Sequence, residues 1–516
     1  MRRLRFVIAA GMLAACAPAT QTPAASAPVV GAADFEAAIA RLEKRDPNAP
    51  EALNARLQYA DFLVNATTGD CQTRLDTAQA QLDILAARPA TRILLPLGAA
   101  KLADSAYKIH SARADCDAMQ RTDELHKALD AARTAAHDYR GALDYQSAAI
   151  MQFNVAAALR ALNDNQAAVA ALQTTIAMDR EFGFQDDAGD NIRLLQHWRG
   201  EDESDARIAA LMKDFPAPQP AAFKFAWAQS DAKEDIAVTE TNLTGGKVVQ
   251  SSGAITLNRH VRPDRLHTWT VSYDPATASA SLGDWPASND ILKPFTGYLM
   301  AIALLETPPF RVDQTGEFED VPNSMHFSTE LMANVSAGFG TPTPDQKVLA
   351  RNLRAVLSPG YVETFAAEKY SLETATWAGA KLEQGVWYQM SAPLSLPGLG
   401  MGEFLVTHNI AFSYARMVAC TPDDTARSCA EIIVHATPEP DDLHKARLQI
   451  SSDNHLPDFD ALHYWSSTEL RLVVKPGTLE PYVSDMRRSW YIAIDGAPDN
   501  KPVISSERLV TTTTYH

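Results

Sequence analysis

No apolar run in this chain approaches the roughly 20 residues that a membrane-spanning helix needs. The two that stand out, residues 6–15 and 298–305, hold ten and eight. Basic residues are in deficit: 46 Lys and Arg face 63 Asp and Glu, a formal charge of −17 that becomes −20 without Arg2, Arg3 and Arg5. That balance excludes general affinity for phosphate backbones, so no nucleic-acid partner is expected, and it opposes charge-driven binding to anionic headgroups. Cysteine is scarce, five in 516 residues, and no pair shows CxxC or another zinc-type spacing. Nucleophile elbows and phosphate-cradling loops in regular form are missing too. No catalytic residue, metal ligand or cofactor is therefore assigned from sequence.

What is present begins at the N-terminus. Arg2, Arg3 and Arg5 precede the ten-residue apolar run, which closes on Leu13-Ala14-Ala15-Cys16. A positive segment ahead of a short apolar one is an export signal, not a permanent span. Leu13-Ala14-Ala15-Cys16 resembles the lipobox of bacterial lipoproteins. The resemblance implies cleavage after residue 15, lipidation of Cys16 and attachment to a membrane of the cell envelope through the acyl chains. Ala17 stands where Asp retains some lipoproteins at the inner membrane, so the same resemblance points to the periplasmic face of the outer membrane. Several chains hold firmly, since each buried methylene contributes about 0.8 kcal/mol. Residues 16–33 then form a tether: from 17 to 33 there is no charge, and Pro18, Pro23 and Pro28 interrupt Ala, Thr and Ser. Such a composition builds no core.

Export also bears on the other four cysteines, an even number in an oxidising compartment. Cys420 and Cys429 bracket a polar stretch between two β-like runs, which predicts a disulfide between them; Cys71 with Cys116 follows by elimination.

Residues 34–215 read as helix nearly throughout, rich in Ala and Leu and free of proline between Pro96 and Pro216. Apolar residues recur at helical spacing, as in Leu53, Leu57, Tyr59, Phe62 and Leu63. Breaks fall at Asp46-Pro47-Asn48, residues 67–70, Arg88-Pro89, Asn163-Asp164-Asn165 and Phe182-Gly183. Residues 151–179 resemble a tetratricopeptide repeat: Ala156, Ala168 and Thr175 stand at close-approach positions, Leu159, Leu172 and Met178 at bulky ones, and Asn163-Asp164 in the turn. Residues 72–145 keep no clean period of about 34. The resemblance implies a helical-repeat domain that presents a surface to a protein or peptide; an irregular helical bundle has the same amphipathic faces.

The proline-rich stretch 216–220 is a stiff linker. Beyond it, residues 221–516 change to period-two patterns. Trp269, Val271 and Tyr273 share a face, as do Phe404, Val406, His408, Ile410, Phe412 and Tyr414; Leu470, Leu472 and Val474; and Trp490, Ile492 and Ile494. Turn pairs between these runs predict hairpins and meanders, hence an antiparallel sheet curved or barrel-like enough to hide its edges. A helical insert at about 343–370 starts at the cap signal Thr343-Pro344 and again at Ser358-Pro359. The whole is a multidomain chain: an all-α, repeat-like N-terminal domain followed by an α+β domain on a curved antiparallel sheet.

Chemistry-bearing residues are sparse in the β-rich part. Asp453, His455, Asp458, Asp460 and His463 are the densest donor cluster, although Leu456-Pro457 inside it favours a surface loop over a metal site. Gly398-Leu399-Gly400-Met401-Gly402 reads as a turn into the next strand, and Arg487-Arg488 as a solvated strand face. Trp387, Tyr388 and Trp465 are candidate ligand contacts, and His408 sits on an apolar strand face, where a histidine is usually hydrogen-bonded and partly buried. Three functions follow. The first is an envelope scaffold working through its helices. The second is a carrier holding an apolar ligand, a lipid or acyl chain, inside the sheet. The third is a hydrolase with scattered residues.

Overall fold

The computed structural model describes residues 31–95, 97–213, 215, 220–244, 246–264, 268–282, 308–329, 333, 359–398, 405–453, 461–495 and 502–515. The export signal, Cys16, the tether to residue 30, most of the linker, residues 298–305, the first insert helix at 343–358, residues 399–402 and the donor cluster at 454–460 lie outside these.

The N-terminal part is helical: α1 Ala32–Arg45, α2 Pro50–Asn65, α3 Cys71–Ala86, α4 Pro89–Leu94, α5 Gly98–Cys116, α6 Arg121–Gly141, α7 Tyr145–Ala161, α8 Asn165–Phe182, α9 Gln185–Arg199 and α10 Asp205–Met212. Local chemistry sets the boundaries. Asp70, Asp144 and Asp164 cap α3, α7 and α8 by accepting from the backbone N–H three residues on. Pro50 and Pro89 occupy first helical positions, and Gly183, at φ +81°, ends α8 in the left-handed region. The short α4 and the long α5 and α6 explain why no 34-residue period runs through 72–145.

Each helix packs on the next, with α5 following α3 across the short α4. Ala78, Ala132, Ala148, Ala156 and Ala168 are fully buried, so small side chains lie where helices come close. Cys71 at the start of α3 is disulfide-bonded to Cys116 at the end of α5, with Cα atoms 6.4 Å apart.

The second part contributes β1 Ala221–Ala222, β2 Ser230–Thr244, β3 Lys247–Pro263, β4 Thr268–Leu282, β5 Phe310–Asp313, β6 Phe318–Asp320, helix α11 Pro359–Glu373, β7 Lys381–Leu382, β8 Trp387–Ser395, β9 Leu405–Val418, β10 Cys429–Pro438, helix α12 Pro440–Asp453, β11 Leu462–Lys475, β12 Glu480–Ile494 and β13 Val503–Tyr515. α11 is described from Pro359; the cap residue Ser358 lies outside the described residues. Eleven strands make one antiparallel sheet, ordered β6-β5-β4-β3-β2-β13-β12-β11-β10-β9-β8. Every neighbouring pair in it is consecutive in sequence except β13 and β2, which pair with Tyr515 opposite Ala232; β1 and β7 form a separate two-stranded sheet. Among the described residues β6 and β8 end the sheet, so it is open and not a closed barrel. Cys420 and Cys429 close the β9–β10 connection with Cα atoms 5.1 Å apart.

Alternation gives the sheet two different faces. The inner face carries Ile236, Leu257, Val271, Ile410, Phe412, Ile432, Leu470, Leu472 and Leu509, buried against α11 and the segment holding Phe223 and Trp227. The face expected for β9 is confirmed: Val406, His408, Ile410, Phe412 and Tyr414 are all at most 3 % exposed. The outer face meets the helices.

Candidate functional site

Two places concentrate polar groups that burial makes costly: the seam between helices and sheet, and a chamber on the inner face under α11.

The seam follows from the up-and-down course of the helices. Short connections between neighbours make successive turns alternate between two edges, and one edge alone touches the sheet. At the α1–α2 turn, Tyr491 donates to Asp46 Oδ2 at 2.7 Å. At α4, Arg487 donates to the Arg92 carbonyl at 3.1 Å. At the α6–α7 turn, Tyr145 donates to Glu431 Oε1 at 3.2 Å, and at the α8–α9 turn Gln384 donates to the Glu181 carbonyl at 2.7 Å. Among the described residues these hydrogen bonds all lie on that edge, and the Cys71–Cys116 disulfide lies on the opposite one. The helices therefore stand on the sheet end-on. Two apolar patches hold them: Leu53, Ile93 and Leu94 against Tyr491 and Ile504, and Tyr145 and Phe182 with Ala415 and Ile433. Ser489 and Ser506, paired across β12 and β13 and at most 8 % exposed, are small enough for α4 to approach those strands. Gly385 has the same role: a Cβ there would meet the Phe182 carbonyl oxygen at 2.7 Å.

Glu431, fully buried on β10, is the electrostatic centre of the seam. It accepts from Arg416 Nε at 2.7 Å and Arg471 Nε at 2.5 Å, and Arg416 also pairs with Glu181 of α8. Burial opposes the charge of Glu431, but Arg471 and Arg416 hold its carboxyl below the ordinary range. The Arg416 guanidinium lies 5.0 Å from the Phe182 ring centroid and 5.4 Å from that of Tyr145, rings that stack on each other at 4.1 Å. Every side of the acid is thus answered from a different element, as a buried charge requires.

The chamber is lined by Trp227, Glu234, Arg259, Tyr273, Glu373 and Thr511, with Lys369 and Tyr370 of α11 above. Arg259, 4 % exposed, donates to Glu234 Oε1 at 3.2 Å and to the Tyr515 hydroxyl at 3.3 Å. Burial works against its charge, yet Tyr515 and Glu234 keep its pKa above the ordinary arginine value. Burial pushes the Glu373 carboxyl up. Arg259 Nε and Thr511 Oγ1 find no protein partner among the described residues. The space, about 30 Å³, suits one or two ordered waters and is too small for an acyl chain.

The residues singled out from sequence do not form one pocket. Tyr388, 8 % exposed, faces inward and stacks on Phe412 at 5.6 Å. Its neighbour Trp387 turns to the helices and lies 5.4 Å from His435. Trp465 is also on the outer face, packed with the α2–α4 patch. His408 is 2 % exposed and donates from Nδ1 to the Val406 carbonyl at 2.8 Å; burial lowers its pKa, which leaves it a neutral structural residue. Arg488 lies over Phe365 of α11 at 5.6 Å, so it and Arg487 are both engaged, not a solvated pair. Of the donor cluster, Asp453 ends α12 and His463 lies 2.8 Å from Asp495 Oδ2. Among the described residues no group of three His, Cys, Asp or Glu is placed to hold a metal ion, and no helix is long and apolar enough to cross a membrane. Glu431 was missed. Its signal was an acid inside the otherwise apolar run of residues 429–434, which cannot be buried unpartnered.

No family model and no curated protein matches the chain. Among solved structures, one titled lipid-protein interactions in lipovitellin aligns with 56 % of this chain and 25 % of its own, at 10 % identity and a TM-score of 0.27. The chain thus spans about a quarter of that structure's length. Pseudomonas aeruginosa OccK2 (OpdF) in complex with glucuronate aligns with 57 % of this chain and 99 % of its own, at 7 % identity and a TM-score of 0.15. Likenesses of that size carry no argument about fold or function.

Proposed function

We propose that this is an exported lipoprotein, anchored through Cys16 at the cell envelope, whose helices serve as an assembly scaffold for a protein or peptide partner. The observation that supports it is the end-on seat. Because the sheet takes only one edge of the array, the broad faces of the helices stay free of it. On α7 Ile150 is 52 % exposed one turn before the half-buried Phe153, and Phe153 packs with the half-buried Leu194 and Trp198 of α9 around Ala156, Leu172 and Leu195. Arg160 lies 5.5 Å over the Trp198 ring and gives this apolar strip a fixed cation. An extended peptide with apolar side chains fits such a strip, the mode of recognition that the tetratricopeptide-repeat resemblance of residues 151–179 implies.

Two measurements test the two halves of this reading. Replacing Cys16→Ser should move the protein from the membrane to the soluble envelope fraction; unaltered fractionation refutes the anchor. A partner retained by the parent protein should be lost with Ile150→Arg and kept with Met325→Arg, a more exposed control elsewhere.

The carrier reading draws on the mixed aromatic and polar lining of the inner chamber. Its described part takes water-sized guests, so an apolar ligand would have to part α11 from the sheet. Native mass spectrometry of the unanchored protein tests it: a co-purified lipid supports a carrier and a bare chain removes it.

A further inference from the structure

The last pair of the β2–β3 hairpin is Thr244 with Lys247, and Gly246 before Lys247 has φ +78°. Leu243 pairs with Val248 and Asn242 with Val249, and both valines are half exposed, 52 % and 51 %. β13 runs alongside, Ser505 opposite Asn242, so Val503, 49 % exposed, lies two residues on beside the same turn. Six large hydrophobic side chains are exposed among the described residues, and the register of three strands gathers three of them here. Charge changes as well: residues 241–252 contain no acid and one base, Lys247, in a chain with 63 acids. The stem is fixed, since Leu243 packs into the cluster of Leu53, Ile93 and Leu94 together with Leu42 of α1.

We infer that this hairpin tip is a second membrane contact, laid on the bilayer that holds the anchor, and that it sets the orientation of the folded body. The inference rests on the anchor reading above. Reach permits it. The fifteen residues 16–30 extend to about 50 Å, whereas α1, with its fourteen residues, separates Gly31 from the seam by about 21 Å. A bilayer suits the tip better than a protein partner does. The valines stand at strand ends beside the turn, Val248 on one face of the sheet and Val249 and Val503 on the other, so the tip is apolar on both sides and suits end-on entry among lipid chains. The absence of acid removes repulsion from headgroups, and a single lysine can keep its ammonium at the interface while its stem lies among the chains. Three valines are too few to hold a protein of this size alone. With the tether supplying a high local concentration, the contact becomes intramolecular.

The test replaces Cys16 of the mature chain by a hexahistidine tag and binds it to phosphatidylcholine vesicles containing a nickel-chelating lipid. An environment-sensitive fluorophore is placed on Val248→Cys, with Met325→Cys as the control. Tethering should shift the emission from position 248 to the blue and protect it from iodide quenching, while position 325 remains solvent-like. Adding Val249→Asp and Val503→Asp should abolish the shift. An emission at 248 unchanged by tethering, or a shift that survives both aspartates, overturns the inference. Because the tag replaces the acyl chains, that failure is independent of whether Cys16 is lipidated, which the fractionation of Cys16→Ser decides.

Discussion

Tyr491 on β12 donates its hydroxyl hydrogen to Asp46 at the end of α1, joining the sheet to the first helix across 445 positions of sequence. The ring is 2 % exposed and packs in the apolar patch at that end of the seam. Tyr491→Phe keeps the packing and removes the hydrogen bond, so it should cost about 1–2 kcal/mol. The urea midpoint should fall with an unchanged slope. A fall in slope would mean that helices and sheet had come apart as separate units.

Glu431 offers a sharper test, because two arginines depend on it. Glu431→Gln leaves Arg416 and Arg471 facing each other in a buried seam, and the expected loss is about 3–5 kcal/mol. Adding Arg471→Met should recover part of it by removing one orphaned charge. The folded carboxyl sits below its ordinary value of 4.5. Its contribution is therefore complete above that pH and lost as pH falls through the lower folded value. Parent protein should lose stability in acid more steeply than Glu431→Gln.

Two other acids act in the opposite direction. Burial raises Glu469, on the outer face beside His435, to about 7, and raises Asp179, held by Asn191, to about 6. Their folded values exceed the unfolded ones, so between about pH 4 and 7 the folded chain keeps protons that the unfolded chain has released. Stability declines as pH rises through that window. Glu469→Gln should flatten the decline and gain about 3 kcal/mol over the parent at pH 8, at 1.36 kcal/mol per unit, with no difference near pH 4. Chemical denaturation at a series of pH values reads this directly.

The two disulfides differ in loop length, 45 residues of separation against 9. Chain entropy then gives about 4 kcal/mol for Cys71–Cys116 and about 3 kcal/mol for Cys420–Cys429. Replacing each pair by serines should lower the thermal midpoint more for the first, measured by calorimetry without reductant.

Much of this architecture was legible where one periodicity rules a long segment. The change from helical to alternating pattern near residue 216 separates the two parts, Ser358-Pro359 marks the start of α11, and the placing of His408 among Val406, Ile410 and Phe412 follows from the pleat alone. Ala156, Ala168 and Thr175 are buried, at most 1 % exposed, as their small size between bulky neighbours requires. What sequence withheld is pairing between distant elements. Nothing local tells that β13 lies beside β2, or that Arg416, Arg471 and Tyr145 converge on Glu431. Trp387 and Tyr388 are both candidate ligand contacts by residue type, yet adjacent strand residues point to opposite faces, and the pleat sends one to the helices and the other to the inner core. Nothing local marks Ser489 and Ser506 as the seat of α4, because α4 itself, six residues long, is too short for periodicity to reveal.

The account rests on helix faces that the sheet leaves open for a partner. A photo-crosslinking amino acid at Ile150, in the full-length protein made in its own envelope, tests this most directly. The account predicts a discrete adduct of defined mass from position 150, abolished when Phe153→Asp and Leu194→Asp are added. No adduct at position 150, or one that persists unchanged through both substitutions, would contradict it.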